Sequence, residues 1–258
     1  MAPRVNEIES PANPQFKLWH QLLEGRGLRR HGRYLLAGRK TVPEALARSP
    51  GEFEAVLCAD LRQLDALPLP DRMARHRLAR PLFDALDVAG TGLPLLVGIV
   101  PEMPPIDLAA PPQGLELVCA LGDPSNLGAL LRSAAAFGAS RVILLDEAAH
   151  PFHPRCLRAA ANAQLALELR RGPGWPGLAA AAGPLLALDA GGRSMTDYPW
   201  PADLRLVLGE EGQGIPDGLP AERLAIPTTG AVESLNATVA ATLALHAWFV
   251  ARGPQSAR

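Results

Sequence analysis

"LELVCALGDPSNLGALLRSAAAFGASRVILL", Leu115 to Leu145, sets two short apolar runs on either side of an amphipathic stretch. "LELVCAL" and "RVILL" read as buried strands, because they are short and rich in Leu, Val and Ile. Between them Leu127, Leu130, Leu131, Ala134 and Ala135 recur at helical spacing and form one apolar face. Gly138 supplies the stop. The expected helix is Asn126 to Phe137. Strand, helix and strand in this order are the repeating unit of a mainly parallel α/β sheet.

The same alternation extends outward. Downstream, "PLLALDA" and "LRLVLG" read as strands, and a last helix begins near Asn236. Upstream, Phe16 to Leu28 reads as a helix, "RYLLAG" as a strand, "VPEALA" as a helix, and "FEAVLC" and "LPLLVGIV" as strands. Between the two series lies "PEMPPIDLAAPPQG", Pro101 to Gly114, whose five prolines keep it extended. The expectation is two α/β domains: residues 1–104, a linker at 105–113, and residues 114–258.

Composition narrows the class. With 48% apolar residues the 258-residue chain can bury a core, yet no apolar run reaches the ~20 residues of a membrane span. "MAPRVNEIES" lacks the apolar centre of a signal peptide. The 3 cysteines are odd in number and far apart, against a disulfide framework or a paired-cysteine metal site, and no metal is expected. A cytoplasmic location is the natural expectation. Net charge is −1, but from Lys17 to Arg48 the bases Lys17, Arg26, Arg29, Arg30, Arg33, Arg39, Lys40 and Arg48 face only Glu24 and Glu44. Such a stretch suits a phosphate backbone or a solvated helix face.

Three segments carry candidate chemistry. In the first, Arg132 lies about 140° around the helix from Leu127, off the apolar face, and Gly128 one turn earlier leaves it unshielded. This is either a capped helix with a solvent-facing Arg, Asn126 being the cap, or a turn presenting Asn126 and a guanidinium to an anion. In the second, "LRLVLGEEGQGIP", a buried strand runs into Gly209, Gly212 and Gly214 with Glu210 and Glu211 among them. Glycines allow close approach of a ligand. The two acids argue against a phosphate cradle, and an ordinary turn is the plain alternative. In the third, "IPTTGAVESLNATVAATLALHAW", Ser234 or Asn236 caps a helix or touches a substrate. That helix is apolar almost all round, so something must cover every side of it. A second subunit would do so.

In order and spacing these segments resemble the three motifs of the SpoU/TrmH family of RNA ribose 2′-O-methyltransferases, within the SPOUT superfamily. They read Asn126, Gly128 and Arg132; Gly209, Glu211 and Gly214; then Ile226, Pro227, Gly230, Ser234, Leu235 and Asn236. The resemblance implies a C-terminal α/β domain threaded as a trefoil knot. It implies S-adenosylmethionine as cofactor, held near Leu208, Gly209, Gly214, Ile226 and Leu235. It implies that Arg132 addresses the RNA phosphate beside the target ribose, while Asn126, Glu211, Ser234 and Asn236 organise the reacting groups. It also implies a homodimer through the last helix. Residues 1–104 resemble the family's RNA substrate-binding domain, with Lys17, Arg29, Arg30, Arg33 and Lys40 on the backbone of ribosomal or transfer RNA.

The chain departs from the family pattern at Thr228, Ala237 and Thr238, at Ala160 and Asn162 of "RAAANAQ", and at Ala37. None removes a motif residue, but each weakens any transfer of substrate identity. A non-catalytic RNA-binding protein that keeps the fold is the rival reading. His150 and His153 are expected in a polar loop, and Asp189 at a strand-end turn or in a loop near the cofactor.

Overall fold

A computed structural model describes residues 5–209 and 214–252. By compactness they divide into two units, one comprising residues up to Glu102 together with His150–Asn162, the other Met103–Ala149 with the residues from Ala163 onward.

The first unit contains β1 (Val5–Ile8), α1 (Pro14–Gln21), α2 (Gly25–His31), β2 (Arg33–Leu36), α3 (Thr41–Arg48), β3 (Phe53–Cys58), β4 (Ala74–Leu78), α4 (Arg80–Leu86) and β5 (Leu95–Ile99). Its sheet runs β1-β4-β3-β5-β2, with β5 antiparallel to β2 and β3. The single helix expected over Phe16–Leu28 is two. Glu24 is extended between them, and Gly27 is pressed so close to the end of α1 that a Cβ there would stand 1.8 Å from the Gln21 carbonyl oxygen. Two glycines in the second helix lower helix propensity and permit that approach.

The second unit contains β6 (Leu115–Cys119), α5 (Pro124–Ala136) and β7 (Arg141–Leu144). After these, α6 (Pro154–Ala160) belongs to the first unit, where Phe152 packs on Tyr34 with ring centroids 4.8 Å apart. The second unit resumes with β8 (Glu168–Arg171), β9 (Leu185–Ser194), β10 (Leu204–Leu208), β11 (Glu222–Ala225) and α7 (Ala237–Arg252). Its sheet runs β11-β9-β10-β6-β7-β8 and every pairing is parallel, as the alternation predicts. β6 and β10 are buried along their whole length, as central parallel strands must be. α7 packs on α5 and buries Ala241, Ala244 and Leu245.

Cys58, Cys119 and Cys156 are buried. No helix among the described residues is long and apolar enough to cross a membrane.

Candidate active site

The chain leaves β6 to build β7 and β8 on one side, then returns to lay β9, β10 and β11 on the other. The sheet therefore has a switch point between β6 and β10, where Leu208 is paired with Cys119. Open parallel sheets bind ligands beyond the carboxyl ends of their strands at such a point. All three candidate segments emerge at this end of the sheet: Asp123 to Arg132 after β6, Gly209 to Gly214 after β10, and Ile226 to Asn236 after β11.

Asp123, not Asn126, caps α5. Its carboxylate accepts from the backbone N–H groups of Ser125 at 2.8 Å and Asn126 at 2.9 Å, and Pro124 opens the first turn. An Asp-Pro pair before an apolar helix carries this start signal in the sequence. Asn126 thus lies inside the first turn, partly buried, and its carbonyl accepts from Thr238 Oγ1 at 3.0 Å. Two turns further along α5 and one turn further along α7, the Ser133 and Thr242 hydroxyls meet at 2.8 Å. These two bonds, on apolar packing, lock the helix of the first segment to the helix of the third. Arg132 is exposed, as its place off the apolar face predicts, and its guanidinium meets no acid among the described residues.

Leu208 ends β10 buried, at 2% exposure. Gly209 follows because a Cβ there would fall 2.5 Å from the Gly214 carbonyl carbon, and Gly214 has φ +69°, in the left-handed region. The two glycines bring the ends of the loop together, leaving bare backbone where side chains would otherwise stand. Glu211 lies outside the described residues.

In the third segment Ile226 and Leu235 are partly buried, and Ser234 and Asn236 are exposed. Asn236 is the cap: its Oδ1 accepts from Thr238 N at 2.9 Å and Val239 N at 3.2 Å. Ser234, two residues earlier, is left facing solvent.

Residues 117–246 match the SpoU rRNA methylase family. The chain belongs to this family. The SpoU match spans all three segments. Over 245 residues the chain is 41% identical to "Ribosomal RNA small subunit methyltransferase G 2" of Syntrophobacter fumaroxidans, covering 94% of this chain and 49% of that protein. The chain thus spans about half the length of that relative. It is 29% identical to the 23S rRNA (guanosine(2553)-2′-O)-methyltransferase RlmP of Bacillus subtilis, covering 94% and 98% of the two chains. The solved SpoU methyltransferase AviRb of Streptomyces viridochromogenes, in complex with AdoMet, superposes with a TM-score of 0.75 at 25% identity, over 93% of this chain and 98% of that one. S-adenosylmethionine is accordingly the cofactor expected of this SpoU protein. The glycine-lined junction of Gly209 and Gly214 fits such a group, because it offers backbone rather than side chains to a ligand of that size.

The basic residues singled out in the sequence all lie in the first unit of this SpoU chain. Lys17 on α1, Arg29 and Arg30 on α2 and Lys40 before α3 are exposed. Arg33 differs: it is half-buried, its Nε donates to Glu54 Oε1 at 2.6 Å, and its Nη1 donates to the His31 carbonyl at 3.0 Å. His150 and His153 lie in the loop before α6, as expected, but part-buried and buried rather than open to solvent. His153 is buried and caps α6 by accepting from Arg155 N at 3.2 Å. The His150 imidazole is pushed down to about 4, by burial first and then by Arg29 and His153.

Proposed function

We propose that this chain methylates the ribose 2′-hydroxyl of structured RNA, ribosomal RNA in preference to transfer RNA, using S-adenosylmethionine. The observation that carries the reading is the convergence of three motif segments beyond the carboxyl ends of β6, β10 and β11. The names of RlmP and of the family supply the ribosomal preference.

When bound, the cofactor supplies an electrophilic methyl group on a sulfonium. Gly209, Gly214, Ile226 and Leu235 hold it, largely through backbone, with Leu208 as the buried wall beneath. Arg132 clamps the phosphate next to the target ribose with two parallel N–H donors and stabilises the negative charge that develops on the 2′-oxygen as its proton passes to solvent water. It is not the base, since a guanidinium hardly deprotonates in a protein. Asn126, Glu211, Ser234 and Asn236 organise the ribose and Arg132. The Thr238–Asn126 bond keeps the first and third segments in register, and much of the rate comes from that alignment.

Two further features belong to this reading. The chain beyond β10 threads as a trefoil knot. α7 pairs with its copy in a homodimer, for it leaves Val239, Leu243 and Val250 at 49%, 41% and 59% exposure along one face. In such a dimer that side becomes core. Three buried thiols suit a reducing cytoplasm.

The test is single-turnover transfer of labelled methyl from S-adenosylmethionine to ribosomal and transfer RNA, followed by mapping of the modified nucleotide. Transfer to a ribose 2′-oxygen supports the reading. Transfer to a base, or none, overturns it.

A further inference from the structure

We propose that Arg223 is a positioning residue for the cofactor site: its guanidinium ties together three chain segments that meet at the carboxyl end of the second sheet. The inference rests on the cofactor reading above and adds a residue outside all three motifs.

The pairing of β9 with β11 is interrupted. Glu222 faces Leu186 and Arg223 faces Ala187, but the next residue, Leu224, faces Arg193, and Ala225 faces Ser194. Residues 188–192 are therefore thrown out of the ladder between two consecutive residues of β11. The excursion begins where β9 also parts from β10, since the last pair of those strands is Val207 with Ala187. It thus stands level with Leu208 and Gly209, at the foot of the second-motif loop. Gly192 brings it back, and a Cβ at that glycine would lie 2.5 Å from the Arg223 carbonyl carbon.

Arg223 fastens this arrangement. Its Nη1 donates to Asp189 Oδ2 within the excursion, and its Nη2 donates to the Pro216 carbonyl at 3.0 Å, where the second-motif loop ends. Asp189 uses its other oxygen to accept the Gly191 N–H at 2.8 Å, which folds the excursion on itself. The strand that carries Arg223 becomes the third motif at Ile226. One planar cation thus spans the excursion, the exit of the glycine loop and the approach to the third motif. A lysine could not replace it, because its single ammonium cannot present two fixed prongs to two segments.

A purely structural role is a poor explanation. The Arg223 and Asp189 side chains are 26% and 29% exposed. Pairs that open to water contribute little to stability. What the pair does govern is the shape of the excursion and its tie to the exit of the second-motif loop at Pro216.

The experiment uses the full-length chain with Arg223→Ala, Arg223→Lys and Asp189→Asn. Calorimetry reads the affinity for S-adenosylmethionine, steady-state kinetics separate its KM from kcat, and RNA affinity and thermal midpoint are measured alongside. We expect Arg223→Ala to weaken cofactor affinity by on the order of tenfold to a hundredfold, a cost typical of displaced positioning groups. The loss should fall on KM for the cofactor, with RNA affinity unchanged and the midpoint within a few degrees. Arg223→Lys should recover little, and Asp189→Asn should fall between. Wild-type affinity and KM in Arg223→Ala overturn the inference. So does an Arg223→Ala chain that fails to fold while Asp189→Asn binds cofactor normally, which would make the role structural. A wild-type chain that does not bind S-adenosylmethionine overturns the cofactor reading itself, and this inference with it.

Discussion

Arg205 and Glu116 are direct partners across β10 and β6, and Arg205 Nε donates to Glu116 Oε2 at 2.8 Å with the side chains 1% and 0% exposed. Two charges are tolerated there because nearly every donor and acceptor is used. Arg205 also donates to the carbonyls of Ala182 at 2.7 Å, Ala110 at 2.8 Å and Leu108 at 3.4 Å. Glu116 Oε1 accepts from Arg141 at 2.8 Å and from the Gln113 backbone at 3.2 Å. The pair pins the proline-rich segment to the centre of the sheet. Glu116→Leu should cost roughly 3–5 kcal/mol, because it leaves a buried guanidinium without its counter-charge. Adding Arg205→Met should restore only part, since three carbonyls then lose their donor. Urea denaturation of the single and double variants checks both statements.

Arg132→Ala should lose methyl transfer by several orders of magnitude while folding and cofactor affinity stay near wild type, since the side chain is exposed. Arg132→Lys should rescue little, as a point charge does not reproduce a two-pronged contact. A single-turnover rate within about tenfold of wild type, a loss of ~1.4 kcal/mol or less, would show that Arg132 is only a surface residue.

Leu243→Glu should separate the dimer. Leu243 stands 41% exposed on α7, so the charge does not disturb the core of one chain. Light scattering at micromolar concentration should give twice the chain mass for the wild type and the single mass for the variant. A wild-type monomer with full activity contradicts the assembly.

Arg29→Ala with Arg30→Ala should weaken RNA binding and lower the slope of log affinity against log salt by roughly one unit per lost phosphate contact. Arg33→Ala should change the slope less, because Glu54 already engages that guanidinium. Filter binding over a range of salt distinguishes the two. An equal slope in all variants assigns the basic run to solvent.

The first unit should weaken in mild acid. His150 is held neutral down to about 4, by burial first, then by Arg29 and His153. An unfolded histidine takes its proton near ~6.5. Its stabilising contribution is therefore complete above that value and is lost as pH falls toward 4. Thermal melts from pH 7 to 4 should show the decline, and His150→Asn should flatten it.

The α/β class and the second sheet's strands β6, β7, β9 and β10 were legible because each is a short apolar run set off by turn residues. β4, with the sequence Ala-Arg-His-Arg-Leu, and β8, with Glu-Leu-Arg-Arg, were not. Their outward charges hide an alternation only a few residues long. The motif residues were legible from spacing; what joins them was not. Thr238 reads as a departure from the family pattern, yet it carries the bond to Asn126. The Asp189–Arg223 link joins residues 34 positions apart. Asp189, read as a strand-end turn or a loop near the cofactor, sits inside an excursion that only pairing with β11 reveals.

The allotment of His150–Asn162 to the first unit bears on how the protein is made. A ribosome finishes Glu102 well before it reaches Phe152, whose ring packs on Tyr34, and Asn162, whose amide donates to the Thr41 carbonyl at 3.0 Å. At about 5–20 residues per second the delay is on the order of seconds. During it Tyr34 has Phe53 but lacks the Phe152 ring, and the nascent first unit is incomplete. Translation therefore cannot deliver one finished domain and then start on the next. The half-made second unit must yield its share to the first before either is whole.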